Sequence, residues 1–216
     1  VTDRITLYGA RRSGAVAVEA ALTLLKLPYD LVDAYTFDPD DKQSGDMVLA
    51  ANPMRQVPAM VLPSGEVVTE SAAILIGLAE RYPEAKLAPL ADDPERLQFL
   101  RWMAFVSSAI YALYWVKDEP ARLAPDPAAQ PVLVARTLDR IADCWRIMGE
   151  QIRPGRYLLG DELTVLDLYV AVVSRFRPRR ARFYEVAPRM ADPIRRVDAD
   201  PRLATLWADR MPEHPV

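Results

Sequence analysis

The apolar residues change their spacing near residue 90. Before it, short apolar runs with an alternating period flank helical ones; beyond it, only the helical period of about 3.6 residues persists. Residues 5–8 read as a strand, and residues 13–26 as a helix with Val18, Leu22 and Leu25 on one face, ended by Leu27 and Pro28. Residues 29–32 alternate as a second strand does, so this strand, helix, strand unit predicts a right-handed parallel pairing. Residues 38–46 are polar and are expected to be irregular. Residues 59–62 and 67–69 flank the turn-forming sequence Pro63-Ser64-Gly65-Glu66, which predicts an antiparallel hairpin. Ser71 is placed to cap a following helix whose buried face is Ile74, Leu75, Leu78 and Tyr82, with Pro83 as its stop.

The order is therefore β, α, β, then β, β, α, followed by helices alone. Residues 84–94 are rich in Pro, Ala and Asp, a linker composition, so the expected division is 1–83, a linker at 84–94, and an all-helical unit at 95–216. Residues 95–116 and 132–152 read as long helices separated by Pro120, Pro125, Pro127 and Pro131. Leu138, Ile141, Trp145, Met148 and Ile152 make the inner stripe of the second. Thr164 and Asp167 have capping-box spacing, with Leu163 and Leu168 at the hydrophobic-staple positions. Asp200 and Pro201 read as an N-cap and first-turn proline opening a terminal helix through Trp207.

Composition narrows the function classes. A chain of 216 residues can bury a core without staples. No uninterrupted apolar run approaches the roughly 18 residues of a membrane span, and the first twelve residues lack the pattern of a secretory signal. A single cysteine, Cys144, excludes internal disulfides and cysteine metal clusters and fits a reducing, cytoplasmic compartment. With a net charge of −3, neither nucleic acid nor an anionic membrane is the expected partner. A small molecule is.

Four fragments carry a resemblance: Leu7-Tyr8-Gly9 leading to Ser13; Asn52-Pro53-x-x-Gln56-Val57-Pro58-Ala59; Glu70-Ser71-x-Ala73-Ile74; and the Thr164-x-x-Asp167 cap. In this order and spacing they resemble the glutathione transferases, bacterial members most of all. The resemblance implies a thioredoxin-like domain of βαβ-ββα order joined to an all-helical bundle, glutathione as co-substrate, no metal, a hydrophobic electrophile as second substrate, and a homodimer. It further implies a cis bond at Pro58 that turns the Val57 amide and carbonyl toward the cysteinyl part of glutathione, as an added strand would lie. The strand and helix ends meeting at Glu70 and Ser71 suit the γ-glutamyl group: Ser71 donates to its carboxylate and Glu70 accepts from its ammonium. Gln56 is a further contact by resemblance.

Two residues compete to activate the thiol. Ser13 aligns with the catalytic serine of theta-like and zeta-like transferases, and Tyr8 with the catalytic tyrosine of other classes. Ser13 is the favoured one, although a helix cap is its structural alternative. Gly14-Ala15 replaces the Ser-Cys that follows the serine in zeta-type enzymes, which weakens a second reading as a glutathione-dependent isomerase resembling maleylacetoacetate isomerase. A third reading is a non-catalytic binder of glutathione or apolar ligands. Arg12, Tyr111, Tyr114 and Trp115 are the candidates for the electrophile pocket, with Arg11 and Arg12 able to attract an anion; aromatic residues at helical spacing also serve as ordinary core.

Other polar residues are given structural roles. Arg175, Arg177, Arg179, Arg180 and Arg182 read as a solvated loop or as ion pairs. Cys144 reads as a buried thiol, Asp167 as a cap, and His214 as part of a Pro-rich tail.

Overall fold

The computed structural model describes residues 4–36 and 42–212. His214 lies outside them. The amino-terminal unit is a four-stranded sheet of order β2-β1-β3-β4, from β1 (Ile5–Gly9), β2 (Tyr29–Asp33), β3 (Ala59–Val61) and β4 (Val67–Thr69). β1 and β2 pair in parallel with Leu7 opposite Leu31; β3 pairs antiparallel with β1 and with β4, setting Met60 against Leu7 and Val68. Gly65 turns the β3–β4 hairpin at φ 86°, a conformation that costs glycine little. This is a thioredoxin-like βαβ-ββα sheet, and the chain continues into a helical domain.

Three helices belong to the sheet. α1 (Ala15–Leu24), read from Val18, Leu22 and Leu25 as buried on one face, is apolar except at Glu19 and Thr23 and is buried at every position from Ala15 to Leu22, because the sheet covers one face and α7 (Val165–Val173) of the helical domain covers another. α2 (Lys42–Leu49) replaces much of the irregular stretch expected at 38–46. Its anchor is Val48, which is fully buried in a small cluster with Ala10, Ala34, Ala51, Val57 and Ala59. α3 (Ser71–Arg81) buries Ile74, Leu75 and Leu78 as the pattern predicts. Its N-cap, however, is Glu70 rather than Ser71, which is already the first helical residue.

The helical half departs from expectation at two boundaries. The single helix read over 95–116 is α4 (Arg96–Phe105), a π-helical turn (Val106–Tyr111) and α5 (Leu113–Asp118). This run, Arg96–Asp118, is long and apolar enough by composition to cross a membrane, with mean hydropathy 1.3 over its most apolar 18 residues, but its Phe99, Trp102, Met103, Val106, Ile110 and Tyr114 lie in the protein core. α6 (Gln130–Gln151) carries the predicted stripe, and Cys144 is buried there with its Sγ 3.4 Å from the Ala109 carbonyl. α7 is buried at all nine positions, as an element apolar on every face must be. The Thr164–Asp167 capping box forms at its start, and Asp167 also accepts the Leu158 amide at 2.8 Å. α8 (Arg179–Val186), α9 (Ala191–Asp198) and α10 (Ala204–Arg210) complete the fold. α10 starts at Ala204, because Asp200 closes a turn by accepting the Arg202 amide at 2.9 Å instead of capping a helix at Pro201.

Candidate functional site

The loop before β3 is stapled by one side chain. Asn52 donates from Nδ2 to the Gln56 carbonyl at 2.9 Å and accepts the Met54 amide at Oδ1, 3.0 Å, so residues 52–56 fold around it. This fixes the exposed Gln56 and the buried Val57, whose peptide bond to Pro58 is cis. Val57, Pro58, Gln56, Glu70 and Ser71 line one cavity of about 660 Å³. Ser107, Tyr111, Tyr114 and Trp115 supply its wall from the helical domain.

The start of α3 contributes Glu70 and Ser71 to this cavity. Glu70 is exposed and held at φ 65°, a region a residue with a Cβ seldom occupies. Its carbonyl accepts the Ile74 amide at 3.0 Å, the first bond of the helix. Among the described residues no side chain caps the remaining first-turn amides, and the Ser71 hydroxyl donates to the Tyr169 hydroxyl at 3.1 Å. An uncapped helix start presents free N–H groups and the positive end of the helix dipole, the arrangement a carboxylate binds. Burial pushes the Tyr169 phenol up to about 12, so it stays protonated and Ser71 keeps a neutral partner.

Ser13 sits where β1 passes into α1. Its hydroxyl donates to the Ala10 carbonyl at 2.7 Å and accepts the Ala15 amide at 3.1 Å, so in this state it serves the turn, although the N-cap of α1 is Gly14. The next amide, Gly14, donates to the Tyr111 hydroxyl at 2.8 Å. Only glycine permits this approach, since a Cβ at residue 14 would lie 2.4 Å from that oxygen. Burial raises the Tyr111 pKa well above the ordinary phenol value, so its proton is retained and available for donation. Tyr8 is half-buried, packs beside the Val48 cluster and lines neither cavity described here.

A buried ion pair braces this turn from behind. Arg210 Nε donates to Glu19 Oε1 at 3.1 Å and Nη1 to Asp33 Oδ2 at 3.2 Å, while the Arg210 carbonyl accepts the Arg12 amide at 3.0 Å. The end of α10 is thereby tied to α1, β2 and the residue preceding Ser13. Burial pushes the Glu19 carboxyl up, opposed by the Arg210 charge.

A second cavity, of about 880 Å³, opens from Ser13. It shares Tyr111, Tyr114 and Asp118 with the first, so the two meet at the tyrosines. Tyr111, Tyr114 and Phe176 form one wall, with ring centroids 5.4 to 6.0 Å apart in tilted and edge-on contacts. Arg12, Arg175, Arg177, Arg179 and Arg180 line it as well.

Of the predicted pocket residues, Arg12, Tyr111 and Tyr114 line the second cavity, whereas Trp115 lines the first, beside Arg122. Arg11 is engaged by Asp209 on the surface. The arginines at 175–182 divide: Arg175 and Arg180 pair with Asp198, Arg182 pairs with Glu185, and Arg177 and Arg179 face the cavity. Their charge was visible in the sequence; their return to Ser13 was not. Tyr169, Ser107 and Phe176 carried no sequence signal, because their roles rest on contacts with residues far along the chain.

This sheet, joined through such a cleft to a helical bundle, is the glutathione transferase architecture. The family model for the glutathione S-transferase N-terminal domain matches residues 15–81. The chain is 30% identical to the uncharacterized GST-like protein YncG of Escherichia coli K12, over 85% of this chain and 87% of that protein. It is 31% identical to glutathione S-transferase Z2 of Arabidopsis thaliana, over 86% and 88%. A solved glutathione transferase homolog from Sulfitobacter, with bound glutathione, superposes with a TM-score of 0.84 at 24% identity, covering 97% of this chain and all of that one. The chain belongs to the glutathione S-transferase family.

Proposed function

We propose that this protein is a glutathione transferase: it binds glutathione across the first cavity, holds the sulfur as thiolate beside Ser13, and adds it to an electrophile seated in the second. One observation carries the reading. The cavity lined by Val57, Glu70 and Ser71 and the cavity lined by Ser13 meet at Tyr111 and Tyr114, so a tripeptide in the first would present its middle residue to the second.

Each group has a chemical task in this reading. The Val57 backbone pairs with the cysteinyl amide and carbonyl. The open start of α3 and the Ser71 hydroxyl take the γ-glutamyl carboxylate, and Glu70 takes its ammonium. Gln56 adds a contact along the peptide. Ser13 turns its hydroxyl from Ala10 to the thiolate, exchanging a neutral hydrogen bond for a charge-assisted one, which is stronger.

Thiolate formation alone accelerates little. Lowering a thiol pKa from about 8.5 by two units raises the ionised fraction about 25-fold at pH 7, and the accompanying loss of nucleophilicity, with a Brønsted slope of about 0.45, removes about eightfold of that. Holding the electrophile against the sulfur contributes far more. The second cavity therefore decides which substrates react well. We further propose that residues 1–83 form the glutathione-binding domain, that 84–94 link it to the helical domain at 95–216, and that the protein works as a cytoplasmic homodimer.

The direct test combines calorimetry with glutathione and thiol consumption with chlorodinitrobenzene or an isothiocyanate. Saturable binding with consumption supports the proposal. Binding without turnover across a broad electrophile panel supports the non-catalytic binder, and absence of heat with millimolar glutathione rejects both.

A further inference from the structure

The second cavity carries more positive charge than its own carboxylates neutralise. Six basic side chains and two carboxylates line it. The carboxylates are engaged: Asp198 accepts from Arg175 at 2.6 Å and from Arg180 at 2.8 Å, and Asp118 pairs with Lys117. Among the described residues, the guanidinium groups of Arg12, Arg177 and Arg179 have no hydrogen-bond, ion-pair or ring partner.

Their backbones, in contrast, are fixed. The Arg12 amide donates to the Arg210 carbonyl at 3.0 Å, and the Arg179 amide to the Phe176 carbonyl at 2.7 Å. The Arg177 carbonyl accepts the Tyr114 hydroxyl at 2.7 Å. Arg12 and Arg179 also sit at φ 58° and 81°, left-handed conformations that a residue bearing a Cβ seldom adopts. The segment bearing Arg177 and Arg179 is thus fastened directly to the aromatic wall of Tyr114 and Phe176. A flat apolar body fits that wall. Three unpaired guanidinium groups fit an anion at its edge, and their planar forks match a carboxylate.

We propose that the second substrate is an unsaturated or aromatic acid, its flat part on Tyr111, Tyr114 and Phe176 and its carboxylate on Arg177 and Arg179, with Arg12 beside the sulfur. The proposal names a substrate class for the transferase reading above and rests on it. Because Arg177 and Arg179 are exposed, solvent screens their charge and the expected discrimination is modest, about tenfold.

The test uses 4-chloro-3-nitrobenzoate and its methyl ester. In each, the glutathione sulfur bonds to the ring carbon, the carbon–chlorine bond breaks, chloride leaves, and the thiol proton passes to buffer. Rates are divided by the uncatalysed rates with glutathione, which removes the difference in intrinsic reactivity. The expected result is an acid-over-ester preference in kcat/KM of about tenfold, narrowed by added salt. The double substitution R177Q/R179Q is expected to remove most of it while glutathione affinity is unchanged, and R177K/R179K to keep part. Equal handling of acid and ester, or a preference indifferent to R177Q/R179Q, overturns the proposal and leaves the transferase reading standing. If neither compound is consumed, turnover of chlorodinitrobenzene or an isothiocyanate decides the transferase reading separately. Calorimetry with the two preformed S-aryl glutathione conjugates then decides the pocket: tighter binding of the acid, lost in R177Q/R179Q, supports it, and equal binding rejects it.

Discussion

The Tyr111 hydroxyl accepts the Gly14 amide hydrogen at 2.8 Å, joining the π-helical turn of the helical domain to the turn that carries Ser13. The irregular turn is what sets this ring between the two cavities, and π-helical insertions often lie at functional sites for this reason. The residues are 97 positions apart, so neither domain alone defines the place where sulfur and electrophile would meet.

Gly14→Ala tests that contact. The added Cβ at 2.4 Å from the Tyr111 oxygen forces the ring or the turn to move. A stability loss of about 1–3 kcal/mol in urea denaturation is expected, as for other overpacked sites. Tyr111→Phe removes the acceptor without adding bulk, strands the Gly14 amide, and is expected to cost a similar amount.

Glu19 and Arg210 test the brace behind Ser13. Both side chains are almost wholly buried, and Arg210 Nη2 has no partner among the described residues. Glu19→Gln leaves the guanidinium poorly compensated, and a loss of about 3–5 kcal/mol is expected. The double variant Glu19→Leu/Arg210→Met is expected to be far less destabilised than the summed single changes. A double-mutant cycle by denaturation measures this coupling.

Asp167 gives a pH dependence with a defined sign. Burial pushes its carboxyl from 3.8 to about 6, against the amides and hydroxyl that donate to it. The folded state therefore holds this proton more tightly than the unfolded state does. Its contribution is complete below about pH 4 and is lost as pH rises through about 6, by about 3 kcal/mol. Denaturation of wild type and Asp167→Asn between pH 4 and 7 should show the wild-type advantage shrinking by most of that amount as pH rises.

The sequence reveals those parts of the fold that local pattern governs. β1 to β4, α3 and α6 follow from periodicity, and the Thr164–Asp167 cap from spacing. α2 does not show in the pattern because Gln43, Ser44 and Asp46 are polar and, among its described side chains, Val48 is the one apolar anchor that is buried, so docking holds this helix. α1 looked half-buried because its second covering layer comes from α7, about 150 positions later. Likewise, the arginines at 175–182 display charge in sequence, but only the fold shows that Asp198 takes two of them and leaves Arg177 and Arg179 over the cleft. A helix start near Glu70 and Ser71 is legible; that Glu70 rather than Ser71 is the N-cap, and that the Ser71 hydroxyl turns to Tyr169, 98 residues away, is not.

Asn52→Ala separates binding from activation. It deletes both bonds that shape the 52–56 loop and so loosens Gln56 and Val57, without touching Ser13. Glutathione affinity by calorimetry is expected to fall about tenfold, equivalent to about 1.4 kcal/mol, while the pKa of the bound thiol stays unchanged.

In the proposed reaction Ser13 holds the glutathione sulfur as thiolate. Releasing the Ser13 hydroxyl from Ala10 costs about 1 kcal/mol, and a hydrogen bond to a charged partner returns about 1.5–3 kcal/mol. The measurement is a pH titration of thiolate ultraviolet absorbance in the protein–glutathione complex, for wild type, Ser13→Ala and Tyr8→Phe. Activation by Ser13 predicts a wild-type thiol pKa at least one unit below the free value of about 8.5, a return toward that value in Ser13→Ala, and no change in Tyr8→Phe. A bound thiol that titrates like free glutathione, or one shifted by Tyr8→Phe and not by Ser13→Ala, contradicts it.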